Sequence, residues 1–132
     1  MKNKIFFSIL FLLSFAISVL NIYAGRYFWY WRFSWFDLLM HFTGGVTVAL
    51  ILLYFSKAPG LKEKIKTASF ILFSTVFIAI MWEVMEFLLD QNLFGKNYFF
   101  DTITDIFIAL VGATIISIFS DKIKIVNSKE GN

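Results

Sequence analysis

The chain has 132 residues, of which 59% are hydrophobic, 20% aromatic and only 16% charged, where an average soluble domain carries about 25% charge. Such a composition cannot cover a water-soluble surface; seven Gly and one Pro exclude collagen-like and disordered chains, and zero Cys excludes disulfides, thiolate metal sites and cysteine nucleophiles. The net charge of +3 comes from Lys tracts set between apolar runs, which is the pattern of membrane topology and implies no nucleic-acid partner.

Apolar runs occur at about residues 5–24, 36–55, 68–89 and 103–120, each close to the ~20 helical residues that cross a ~30 Å hydrocarbon core. The sequence therefore predicts an all-α integral membrane bundle of four transmembrane helices with short loops, one transmembrane domain over residues 1–132, with the lipid bilayer as its main partner. The first run follows Lys2 and Lys4 and reads as an anchor rather than a signal peptide. Ile22 is poor where a cleavage site at Ala24 needs a small residue, and the run exceeds the ~7–15 apolar residues of a signal sequence.

The N-terminus (Lys2, Lys4), the second connection (Lys57, Lys62, Lys64, Lys66) and the tail (Lys122, Lys124, Lys129) carry nine cations, against Arg26, Arg32 and Lys96 on the other side. Both termini are expected in the cytoplasm, in a multi-pass protein of the cell membrane. The two outward connections, 25–35 and 90–102, are aromatic, with Tyr27 to Trp31 and Tyr98 to Phe100. Trp and Tyr favour the headgroup layer, so an interfacial belt is the plain expectation, with a lid or lipid-headgroup platform as the alternative.

Six of the nine acids, Asp37, Glu83, Glu86, Asp90, Asp101 and Asp105, fall on or near the outer half, giving that layer a formal charge of −3. Asp37 and His41 are four apart, Glu83, Glu86 and Asp90 are spaced i, i+3, i+7, and Asp101 and Asp105 are four apart, so each of three helices carries one polar stripe. Antiparallel packing brings the stripes to a common outer layer. Gly44, Gly45, Ala109, Gly112 and Ala113 extend them inward as small residues that permit close helix packing. Plain alternatives exist: Asp37 or Asp101 as helix caps, Asp90 as a solvated loop residue, Asp105 as a shallow group, and a salt-bridge network with Arg26, Arg32 and Lys96. Glu83, Glu86 and His41 lie a turn or more inside their spans, where a charge costs about 2.5–3.5 kcal/mol on insertion scales, and capping does not explain them.

One imidazole among carboxylates is a mainly oxygen donor set suited to Mg²⁺, Mn²⁺ or Ca²⁺, with Zn²⁺ admitted through His41. The expected ligands are Asp37, His41, Glu83, Glu86, Asp101 and Asp105. Glu83, Glu86 and His41 are the candidate catalytic groups for a reaction on a lipid or lipid-linked envelope substrate. A proton- or cation-coupled transporter and a structural membrane component are the rival functions.

The segments Asp37-x3-His41-Phe-Thr-Gly-Gly, Trp82-Glu83-x2-Glu86 and Asp101-Thr-x2-Asp105 with Gly112 resemble the YjdF-type inner-membrane proteins and, more distantly, the VanZ-like proteins. The resemblance covers the second to fourth helices and implies a polyhelical membrane fold with an acidic cluster, without an agreed reaction. Typical YjdF-type chains are longer with additional spans, which makes a homo-oligomer an expectation for the short form. VanZ-like members usually show Asn where this chain has Asp105.

Overall fold

The computed structural model of the protein describes residues 2–56, 67–88 and 97–120. They form five helices: α1 Lys2–Arg26, α2 Trp29–Arg32, α3 Ser34–Ser56, α4 Thr67–Leu88 and α5 Tyr98–Phe119. Among the described residues there is no strand, and α1, α3, α4 and α5 are each long and apolar enough to cross a membrane. The all-α four-span expectation holds. The lysines of the second connection and of the tail, together with Asp90 and Lys96, lie outside the described residues.

Helix α3 is the centre of the bundle. It packs against all the other helices, α5 packs against α3 and α4, and α1 packs against α2 and α3 without reaching α4 or α5 among the described residues. The close α3–α5 crossing follows from reciprocal small residues. A Cβ built on Gly45 would sit 2.0 Å from the Ala109 carbonyl oxygen, and one on Gly112 would sit 2.6 Å from that of Phe42, so the backbones touch where only hydrogen fits. Gly44 corrects the expectation that both glycines of the pair are packed, because a Cβ there meets nothing within 4 Å.

Away from α2, the interior is filled by Ala49, Leu53, Ile71 and Ala113. Toward α2 a second core joins Ala24, Tyr30 and Phe36, with Trp29 and Tyr30 edge-on to the Phe36 ring at centroid distances of 5.5 and 5.2 Å. Large apolar side chains cover the outside, Phe73 being 79% exposed and Phe11 63%, as lipid contact requires and water would penalise.

Two boundaries differ from the sequence expectation. The fourth span begins at Tyr98 rather than near residue 103, because Tyr98, Phe99 and Phe100 are interfacial aromatics that also sustain a helix. The connection between the first and second spans is partly helical: Phe28 adopts φ 57°, a left-handed conformation rare for a bulky residue, and this turn leads the chain from α1 into the single helical turn α2.

Candidate metal centre

His41 and Asp105 each lie seven residues beyond the start of their helices, Ser34 and Tyr98, about 10 Å along the axis at 1.5 Å per residue. Glu83 lies five residues before the end of α4 at Leu88, about 8 Å in. Because α3 and α5 run one way and α4 the other, the three residues share one layer near the α2 end of the bundle.

There the imidazole is surrounded by acids. His41 Nε2 is 3.5 Å from Asp37 Oδ1, 3.7 Å from Asp105 Oδ2 and 3.8 Å from Glu83 Oε1, and none of the four side chains is more than 9% exposed. These separations exceed the ~2.7–3.2 Å of a good N–H···O hydrogen bond. Glu83 Oε1 and Asp105 Oδ1 are buried without a hydrogen bond. Two donor sets share the imidazole, Asp37–His41–Asp105 and His41–Glu83–Glu86, and in each the ligand atoms lie within 4.8 Å of one another. Atoms bound about 2.1 Å from a tetrahedral ion stand roughly 3.4 Å apart, close to the 3.5–3.8 Å that separate His41 Nε2 from three carboxylate oxygens.

Neighbouring groups fix the carboxylates. Thr102 Oγ1 donates to Glu83 Oε2 at 3.0 Å, the Tyr98 hydroxyl donates to the Glu83 carbonyl at 2.9 Å, and Trp82 Nε1 donates to Glu86 Oε1 at 2.9 Å. With one Glu83 oxygen held by Thr102, the other is left facing His41, the arrangement that orients a metal-ligating carboxylate.

The chain belongs to the family described as Predicted membrane protein (DUF2238), which matches residues 2–124. No curated protein and no solved structure matches it.

Five of the six expected ligands therefore meet. Asp101 stands in the first turn of α5, near enough for its charge to act on Glu83 and Asp105, but it belongs to neither donor set. Asp37 stands in the first turn of α3, three residues past Ser34, and is only 4% exposed with a carboxylate oxygen facing His41 of its own helix. Asp105 is not shallow: at 2% exposure it is the most buried acid of the cluster. Arg26 and Arg32 are exposed, and among the described residues the basic side chain that meets Asp37, Glu83 and Asp105 is His41.

Tyr30, Asn21, Thr102 and Tyr98 were not among the expected site residues. The Tyr30 hydroxyl donates to Asn21 Oδ1, tying α2 to α1 over the cluster. Burial, then the negative charges of Asp37 and Glu86, push its phenol above the ordinary value, which keeps the hydroxyl protonated as a donor. Asn21 carried a signal, being an amide within an apolar span, where polar groups are costly. Tyr30 carried none that set it apart from its aromatic neighbours.

A cleft of about 420 Å³ lies beside the cluster, lined by α1, α3 and α4, with His41 and Glu86 on its wall. Its size falls in the ~300–1,000 Å³ range of ligand sites.

Proposed function

We propose that this is a cell-membrane protein with both termini in the cytoplasm, which holds one divalent cation, Mg²⁺, Mn²⁺, Ca²⁺ or Zn²⁺, near its outer face. The cation serves a reaction on a lipid or lipid-linked substrate. The observation that carries the reading is a pair of buried carboxylates each with a hydrogen-bond-free oxygen, Glu83 Oε1 and Asp105 Oδ1, packed on one imidazole nitrogen through Glu83 Oε1 and Asp105 Oδ2. A single Nε2–H serves one acceptor, and one imidazolium charge does not balance Asp37, Glu83, Glu86 and Asp105 in a low dielectric. A divalent cation supplies two charges and a direct bond to each oxygen.

When bound with an open position, such a cation polarises a phosphoryl or carbonyl oxygen, or acidifies a bound water. His41 is the shared inner ligand, with Asp37 and Asp105 beside it in one donor set and Glu83 in the other. Glu86, on the cleft wall with one oxygen held by Trp82, is placed to act as general base. Asp101 adds negative charge at the rim. The YjdF-type and VanZ-like resemblance belongs to the same proposal, supported by the meeting of Asp37, His41, Glu83, Glu86 and Asp105 from its three motifs.

Chelator-stripped protein titrated with Mn²⁺ and followed by electron paramagnetic resonance should bind one ion per chain. His41→Ala and Asp105→Asn should weaken binding by more than the ~10–100-fold seen when groups that merely orient ligands are removed. Absence of Mn²⁺ binding, with no response to the other three cations, would overturn the metal centre and favour protonated carboxylates in a proton-coupled transporter.

Orientation has its own test, made clean by the absence of native cysteine. Ser34→Cys and Asn97→Cys in intact cells should react with an impermeant thiol reagent, and Ser128→Cys should not; opposite labelling would invert the topology.

A further inference from the structure

The cleft has a polar end and an apolar body. Asn21, Tyr30, His41, Trp82 and Glu86 stand at the α2 end, while the rest is mainly aliphatic, with Ile17, Val48, Ile51 and Ile78 and the small hydroxyls of Ser14, Ser18, Thr47 and Thr75 among them. Its wall runs from His41 to Ile51 on α3 and from Glu86 to Thr75 on α4, about 15 Å along each helix. That length is half of a ~30 Å hydrocarbon core, as long as the chain of one leaflet's lipid. Because α1 and α4 do not pack on each other while both line the cleft, its opening faces sideways, toward the bilayer. Gly44 keeps the wall flat where it passes the imidazole, and a Cβ there would meet nothing within 4 Å.

We propose that this cleft seats one hydrocarbon chain of an outer-leaflet lipid whose anionic phosphate headgroup rests against the cation held by His41 and its carboxylates. The headgroup part rests on the metal-centre reading, since the bare acidic cluster would repel a phosphate. The chain part rests on the cleft alone. Length decides the class of ligand: an apolar body about 15 Å long matches a hydrocarbon chain that fills the thickness of one leaflet. A water-soluble phosphate would leave the apolar body unfilled.

Full-length protein in detergent, loaded with Mn²⁺ or treated with EDTA, is mixed with monooleoyl lysophosphatidate and read by native mass spectrometry. Wild type with Mn²⁺ should carry one lipid per chain, EDTA should reduce its retention, and Gly44→Leu should bind roughly tenfold more weakly or worse because the side chain fills the cleft. Unchanged Mn²⁺ affinity and melting temperature in Gly44→Leu would show that the fold and the metal centre are intact. Monoolein, with the same chain and no phosphate, should bind more weakly than the lysophosphatidate, and inorganic phosphate should not compete. Equal lipid binding by wild type and Gly44→Leu would overturn the seated chain, as would a wild-type mass of two copies without lipid. Tighter retention of oleylamine in EDTA than of lysophosphatidate in Mn²⁺ would overturn the phosphate and the metal reading together. Equal lysophosphatidate binding in Mn²⁺ and EDTA, with the Gly44→Leu loss intact, would overturn the cation contact and support the seated chain.

Discussion

Replacing Gly45 by Ala is expected to cost the bundle more stability than any other single methyl group added to it, while the same change at Gly44, one residue away, should be neutral or mildly stabilising. A Cβ on Gly45 would lie 2.0 Å from the Ala109 carbonyl oxygen and 2.7 Å from its carbon. The obstacle is backbone, which cannot rotate aside as a side chain can, so α3 and α5 must separate. Overpacking a core costs about 1–3 kcal/mol when side chains can adjust; here the cost should reach or pass the upper end. Separation would also pull His41 away from Asp105, because Gly45 lies one turn below the imidazole and Ala109 one turn below the acid. At Gly44 the new methyl enters the open cleft, and Ala is favoured over Gly in a helix by about 0.8–1 kcal/mol. Melting curves in detergent read both variants. Equal melting temperatures would show that α3 and α5 are not held by the Gly45–Ala109 contact.

That neighbouring glycines differ this way was not legible in the chain, where Gly44 and Gly45 are two letters of one small-residue stripe. Helical periodicity places His41, Gly44 and Gly45 on overlapping faces, and only the crossing of α3 over α5 decides which glycine meets backbone and which meets space. The spans themselves were legible because length and hydropathy are local properties set by the bilayer. So was the convergence of Asp37, His41, Glu83, Glu86 and Asp105, since insertion costs turn the polar stripes of three neighbouring helices away from lipid and into the bundle interior. The helical turn at Trp29–Arg32 was hidden: it depends on Phe28 adopting a left-handed backbone, and no Gly or Asn marks the position. Asp105 was read as shallow because the fourth span was started too late, and moving its origin back to Tyr98 puts the acid at the depth of His41.

Removing one charge from the cluster should have opposite consequences with and without metal. In chelator, Glu83→Gln is expected to melt at or above wild type. It deletes a negative charge from a group of acids served by a single imidazole, and its amide oxygen can still accept the Thr102 hydrogen bond made by Glu83 Oε2 at 3.0 Å. In Mn²⁺ at a hundredfold excess over Kd, wild type should gain about 2.7 kcal/mol of stability, and Glu83→Gln should gain little, because the atom facing His41 is no longer a carboxylate oxygen. His41→Ala should fall below wild type in both conditions. It removes a ligand and leaves the buried acids without their counter-charge, a loss of the kind that costs about 3–5 kcal/mol when one partner of a buried pair is deleted. A purely structural ion cluster predicts another pattern: Glu83→Gln would destabilise in chelator, and no cation would move any of the three melting curves. The two accounts part on the sign of one substitution measured in one buffer, because a site shaped for a divalent cation carries more negative charge than its own residues can balance, whereas an ion pair does not.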